Sequence, residues 1–229
     1  RPPRSTLFPY TTLFRFPYGT LTLFARHAAI AIDNAMRYRR EQARSERMEL
    51  IARVSRLVSA GLEPAELVAT AAQVIHEQLG YPNVVIPLLE RGDPDELVYR
   101  SHAGAYRDVF REEYRLPVSR GITGAAVRDR VVQVVNDVTR DLRYVPPPQP
   151  IDVTCELAVP ILRGNEVLGV INIEGREPFE EEDVSSIRII ADHLAVAIKN
   201  AQLSEAAREA AVMRERQRLA LYGDRKSVV

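Results

Sequence analysis

The chain has 229 residues, 46% of them hydrophobic, with 31 Lys and Arg against 31 Asp and Glu. That length holds one domain of about 150 residues with flanking elements, or two small domains, and the balanced charge excludes the basic field that recruits nucleic acid or an acidic membrane surface. The single cysteine, Cys155, excludes an internal disulfide and a cysteine-based zinc cluster and favours a reducing, cytoplasmic setting, while no apolar run approaches the roughly 18 residues of a membrane helix and no signal-peptide pattern opens the chain.

The first patterned stretch is "LFARHAAIAIDNA", Leu23 to Ala35, rich in Ala and Ile at helical spacing. It is echoed one domain length later by "IIADHLAVAIKNA", Ile189 to Ala201, with His27 over His193 and Asn34 over Asn200. Both copies run into charged helical stretches, "MRYRREQARSERMEL" and "LSEAAREAAVMRERQRLA". The echo reads residues 16–45 as the closing helix of a truncated preceding domain plus a linker helix. No Gly or Pro breaks "RYRREQARSE" or "SEAAREAAVMRERQR", so one long helix is expected over Arg37 to Leu62 and another over Asp183 to about Leu219. The second is expected to stop at Tyr222, Gly223 and Asp224.

Ile51, Val54, Leu57 and Val58 share one helical face. A helix then begins with Pro64 in its first turn, turns Leu67, Val68, Ala71, Val74 and Ile75 inward and ends at Gly80. After Tyr81 and Pro82 the texture becomes β-like. "NVVIPLLE" and "LVYRSHAG" form an expected hairpin with Gly92, Asp93 and Pro94 at its tip. "VVQVVND", "CELAVPILRG" and "EVLGVINIEG" are further short apolar runs, the last two joined at a tight turn in which Gly164 and Asn165 are expected to take positive φ. "VPPPQP", Val145 to Pro150, can be neither strand nor helix and reads as a loop over a pocket mouth or a plain surface excursion. Helices at both ends with antiparallel strands between them make the fold class α+β.

No catalytic constellation stands out. His27, His76, His102 and His193 have no metal-ligand spacing. Glu180, Glu181, Glu182 and Asp183 suit the electropositive start of a helix better than a cation site. Cys155, on an apolar strand, reads as a small buried hydrophobe.

"LPVSRGITGAAVRDRVVQVVNDV", "CELAVPILRGNEVLGVINIEG" and "FEEEDVSSIRIIADHLAVAIKNAQL" together resemble a GAF domain, the small-molecule sensing module of many signalling proteins. The marks are a GITG turn opening a short helix, a Glu-x-Ala-Val-Pro strand, a Gly-Val-Ile-x-Ile-Glu strand and an acidic cap before the closing helix. The resemblance spans residues 46–203. It implies an antiparallel sheet of five or six strands with flanking helices, and a ligand pocket between sheet and covering elements, for which Arg120, Gly121, Ile122, Thr123, Asp137, Tyr144 and Cys155 are the candidate residues. It names no cofactor. GAF relatives that reduce free methionine sulfoxide use several cysteines, against one here; bilin binders use a cysteine in another context; the Asn-Lys…Phe…Asp-Glu signature of cyclic-nucleotide binders is not visible.

"RERQRLA", within residues 204–223, resembles the start of the dimerisation and phosphoacceptor helix of a histidine kinase family, though the acceptor His is absent. "TLFPYTTLFR" and "DRKSVV" resemble translated sequencing adapter, so residues 1–15 and 224–229 are expected to be artefactual, to pack against nothing, and to bound a fragment cut mid-gene. The resulting expectation is the sensory part of a cytoplasmic two-component histidine kinase. It would be a homodimer through its flanking helices, would signal to a response regulator through the missing transmitter, and would itself be no enzyme. The competing expectations are a GAF sensor driving a cyclic-dinucleotide enzyme or a transcription activator, and a small GAF-fold enzyme.

Overall fold

A single helix, α1, covers both the Ala-rich stretch and the charged stretch after it. It runs Tyr18–Val58, with no Gly or Pro to break it from Thr20 onward. In the computed structural model the described residues are 18–58, 62–90, 93–100, 102–105, 107, 114–147 and 152–226. The expected helix end at Leu62 therefore falls back to Val58, with 59–61 outside the described residues. The chain divides between Glu46 and Arg47 into two units. In the first, the side chains from Leu21 to Arg39 are all exposed. Arg37 pairs with Asp33 one turn earlier at 3.0 Å, a solvent-facing pair worth a few tenths of a kcal/mol.

After the end of α1, the second unit continues with α2, Pro64–Leu79, closed by Gly80, whose N–H donates to the His76 carbonyl at 3.0 Å. Leu67, Val68, Ala71, Ala72 and Ile75 form its buried stripe. The strands that follow are β1 Asn83–Val85, β2 Leu88–Glu90, β3 Asp93–Tyr99, β4 His102–Gly104, β5 Tyr114–Pro117, β6 Gln133–Val135, β7 Cys155–Arg163 and β8 Glu166–Gly175. Every pairing among them is antiparallel. β1 and β2 both lie along β8, and β4 and β3 lie along β1 and β2 in turn. Among the described residues the eight segments thus make six rows, in the order β6, β7, β8, β1 with β2, β4 with β3, and β5. "NVVIPLLE" breaks at Ile86 and Pro87 because proline has no N–H for the ladder.

Two turn expectations change. Asp93 and Pro94 already belong to β3, with Asp93 facing Glu90; residues 91–92 lie outside the described set. At the turn between β7 and β8 only Gly164 has positive φ, +61°, and Asn165 does not: one left-handed residue suffices to reverse the chain, and glycine adopts it without a Cβ penalty.

α3, Gly121–Asp129, and α4, Glu181–Lys226, complete the unit. Glu181, Glu182 and Asp183 fill the first turn of α4, where the helix dipole favours negative charge. α4 runs through Gly223 instead of stopping at Tyr222, since one glycine inside a helix costs only about 1 kcal/mol relative to alanine. The expectation that residues 1–15 and 224–229 pack against nothing lies outside what is described, except that 224–226 continue α4 as helix.

The sheet separates two cores. On one face, Leu157, Val159, Ile161, Ile171 and Ile173 pack with the α2 stripe and with Ile187, Ile190, Leu194 and Ile198 of α4. On the other, Val85, Leu97, Tyr99, Leu116, Ala158 and Val170 pack with Ile122, Ala126 and Val127 of α3. Alternation along β7 and β8 produces the split: neighbouring residues leave the strand on opposite faces, so both strands are buried throughout their central residues.

Candidate functional site

The α3 face holds the site. Gly121 opens α3 with φ +76°, a backbone setting that any Cβ strains. Three residues on, a Cβ on Gly124 would sit 2.4 Å from the Val118 carbonyl oxygen. Glycine at 124 therefore lets the first turn of α3 lie against the end of β5, and the Arg128 guanidinium, which donates to that same carbonyl, ties the helix down.

Above this turn is a cavity of about 40 Å³. Gly121, Ile122 and Thr123 form one wall, Val85, Tyr99, Tyr114 and Leu116 another, and Val145, Pro146 and Pro147 the mouth. The floor is Glu156 of β7 with Asn172 and Glu174 of β8. Those three are 5%, 4% and 5% exposed. Glu156 and Glu174 are direct cross-strand partners, as are Ala158 and Asn172. Like charges placed directly opposite repel, and taking a carboxylate out of water costs several kcal/mol. Burial, then Glu174, then Asp141 push the Glu156 carboxyl well above the ordinary carboxylate range; Arg143 and the Asn172 amide pull weakly the other way. Glu156 therefore keeps its proton to much higher pH than a free carboxyl.

Hydrogen bonds organise the rest. The hydroxyls of Tyr99 and Thr123 bond each other at 3.0 Å, and Tyr114 meets Tyr99 edge-on with ring centroids 5.3 Å apart. Burial drives the Tyr99 hydroxyl far above its usual range, so it stays a neutral donor. The Asn172 amide N–H reaches Glu174 Oε1 at 3.4 Å. Arg143, exposed, is gripped by Asp141 through Nη2 at 2.7 Å and Nε at 3.0 Å. Its hydrogen bond holds Asp141 below the usual carboxylate range.

Of the candidates named from the sequence, Gly121, Ile122 and Thr123 line the cavity. Tyr144 is half-buried beside it, its hydroxyl pushed up by burial and then by Glu174 and Glu156. Arg120, Asp137 and Cys155 do not line it. Arg120 is the exposed residue preceding α3. Asp137 caps a short 3-10 turn, Val138–Arg140, accepting from the Thr139 N–H at 3.1 Å and pairing with Arg140 at 3.2 Å. Cys155 sits in the core under α2 and α4, its thiol donating to the Asn136 carbonyl at 3.3 Å. One step along the strand reverses the face, which sends Cys155 to the helices and Glu156 to the cavity. Sequence reasoning missed the acidic floor, although its signal was present: Glu156, Asn172 and Glu174 are polar residues at alternate positions in otherwise apolar runs.

The GAF domain family profile matches residues 61–199, more than half of the chain and all of the sheet just described. The chain belongs to the GAF domain family. No curated protein matches it. Among solved structures, this GAF chain resembles the GAF domain of a phosphoenolpyruvate-protein phosphotransferase from Coxiella burnetii, with a TM-score of 0.62, 20% identity, and coverage of 71% of this chain and 98% of that one. It also resembles a free methionine-R-sulfoxide reductase from Neisseria meningitidis, with a TM-score of 0.60, 21% identity, and coverage of 69% and 91%. A GAF sensor protein described as putative from Burkholderia vietnamiensis gives 0.59, 20%, 69% and 97%. At these identities the likeness establishes the fold. Among the described residues, no helix is long and apolar enough to cross a membrane.

Proposed function

We propose that this GAF domain is the sensory part of a two-component histidine kinase, taking a small molecule in the α3-face cavity and passing its occupancy to α4. One observation carries the reading: cavity and output helix use opposite faces of the same two strands. Glu156, Asn172 and Glu174 floor the cavity, while Leu157, Ile171 and Ile173, interleaved with them, seat Ile187, Ile190 and Leu194 of α4. A ligand that alters the β7–β8 floor thereby biases the packing of α4, which is how a bound state shifts between two arrangements of an element.

The reading includes a cytoplasmic homodimer formed through α1 and α4, with a transmitter beyond α4 that serves a response regulator. Exposed apolar side chains on α4, Leu203, Val212 and Met213, and on α1, Leu21, Phe24, Ile30 and Ile32, support helix pairing. Amide exchange tests the relay. Thr123→Val, which removes the Tyr99 partner, should change exchange in α4 between Ile187 and Ile198; a change confined to α3 and β5 sinks the relay. For the kinase assignment, genomic DNA following the codons of Arg214 to Ala220 should encode a phosphoacceptor His on the continuing helix, and a cyclic-dinucleotide or transcription-activating domain there would overturn it.

A second reading, a GAF-fold enzyme, draws on the likeness to the Neisseria meningitidis reductase, which was solved in complex with its substrate. Cys155 gives it little support, because its thiol lies under the helices and not in the cavity.

A further inference from the structure

The cavity beside α3 has donors on one side and an acceptor on another. α3 opens with no side-chain cap and no acidic residue in its first turn, and the leading N–H groups of a helix have no partner within it. Gly121, Ile122 and Thr123, which carry the first of those groups, line the cavity. In the Tyr99–Thr123 pair one hydroxyl donates to the other, so the accepting one still has an O–H to give. The opposite polarity comes from Asn172 on the floor. Its Nδ2 donates to Glu174 Oε1 at 3.4 Å, while its Oδ1, in a side chain 4% exposed, is buried with no donor. A buried acceptor left unmet is costly, and none of the donors on the α3 side reaches this one.

Charge narrows the class. A carboxylate would lie over Glu156 and Glu174, which share the floor, and an ammonium would lie against the electropositive end of α3. A neutral group meets neither penalty. It must present its acceptor and its donor from different atoms, because the α3 turn and Asn172 lie on different sides, and a lone hydroxyl offers both from one oxygen. Resting on the reading of this cavity as the ligand site, we propose that it binds a small neutral primary amide, its carbonyl accepting from the first turn of α3 and its NH2 donating to Asn172 Oδ1. A cavity of about 40 Å³ has space for about three to four water-sized groups, which bounds the class at formamide, acetamide and amides of that size. Val85, Leu116, Ile122 and Val145 receive the carbon end.

Four planar molecules of equal size separate these features. Acetamide has the carbonyl and the NH2. Acetone keeps the carbonyl and loses the donors, acetate replaces the donors with a negative charge, and acetamidinium replaces the acceptor with a positive one. Each is titrated into the isotope-labelled whole chain at about pH 7. The backbone amide signals of Ile122 and Thr123 and the side-chain NH2 signals of Asn172 report binding at the site.

The expected result is saturable shifts of those signals with acetamide, half-complete in the millimolar range that suits so small a ligand. Acetone, acetate and acetamidinium should bind at least tenfold more weakly. Asn172→Leu, which keeps the side-chain shape and removes the acceptor, should lose at least tenfold in acetamide binding. Where Asn172→Leu fails to give the amide spectrum of a folded chain, the comparison of the four molecules on the native chain decides. Acetone binding as tightly as acetamide, acetamide shifts confined to other parts of the chain, or unchanged acetamide binding in a folded Asn172→Leu overturns the proposal. If acetate or acetamidinium binds in place of acetamide, the neutral class falls while the cavity stands as a ligand site. If no probe binds, the proposal falls, and if Thr123→Val also leaves α4 exchange unaltered, the sensor reading falls with it.

Discussion

Two titratable side chains give this fold opposite responses to pH. Burial lowers the His102 imidazole to about 4, so it is neutral in the fold while the unfolded chain takes up a proton below about pH 6.5. Its contribution to stability is complete above that value and is lost as pH falls towards 4. Glu156 runs the other way: its folded carboxyl titrates well above the unfolded one, so its contribution is complete below about pH 4.3 and is lost as pH rises, by up to about 1.4 kcal/mol per pH unit for one proton. Urea unfolding across pH should therefore show both limbs. Glu156→Gln is expected to flatten the alkaline limb alone and His102→Gln the acid limb alone. An unchanged alkaline limb in Glu156→Gln would mean that neither burial nor Glu174 raises the Glu156 carboxyl. The alternation of Glu156, Asn172 and Glu174 was visible in the sequence, but a Glu at alternate positions of a strand reads as a residue facing water. Only α3 and the 145–147 loop, packed over that face from elsewhere in the chain, make it an interior one.

Among the elements, β7, β8 and the first half of α4 are the mechanical centre. Ile190→Ala, at a position 1% exposed between sheet and helix, should cost about 2–5 kcal/mol in chemical denaturation. Leu203→Ala, 62% exposed on the same helix, should stay within about 0.5 kcal/mol, and a comparable loss at both would show that Leu203 is already covered. These elements were readable from the sequence because their signals are local: Pro64 and Gly80 mark the ends of α2, and the apolar runs mark β7 and β8. What was not readable depended on register and neighbours. Cys155 and Glu156 differ by one position, and nothing in "TCELAVP" alone says which of them faces the helices. Asp137 had the polarity of a ligand group, yet its carboxylate is consumed by its own turn.

For the molecule as a whole, the exposed apolar residues of α1 and α4 lead to an expectation about assembly. A chain spanning residues 20–220 should sediment as a dimer at tens of micromolar, roughly where weak helix-mediated association registers; a strict monomer there removes the helix pair from the mechanism. Met213→Glu together with Val212→Glu should then shift the equilibrium to monomer without altering the melting of the sheet domain. α4 also sets a scale of motion. Its side chains from Ala206 to Arg218 are exposed, and the helix continues to Lys226, so about 20 residues, or roughly 30 Å at 1.5 Å per residue, extend past its seat on the sheet. It is a lever whose first half is seated on the sheet and whose second half extends beyond it. A tilt of only about 5° at the seat, the kind of adjustment a few side chains can impose, would carry the far end of such an arm about 3 Å, comparable to the helix shifts by which interfaces change state.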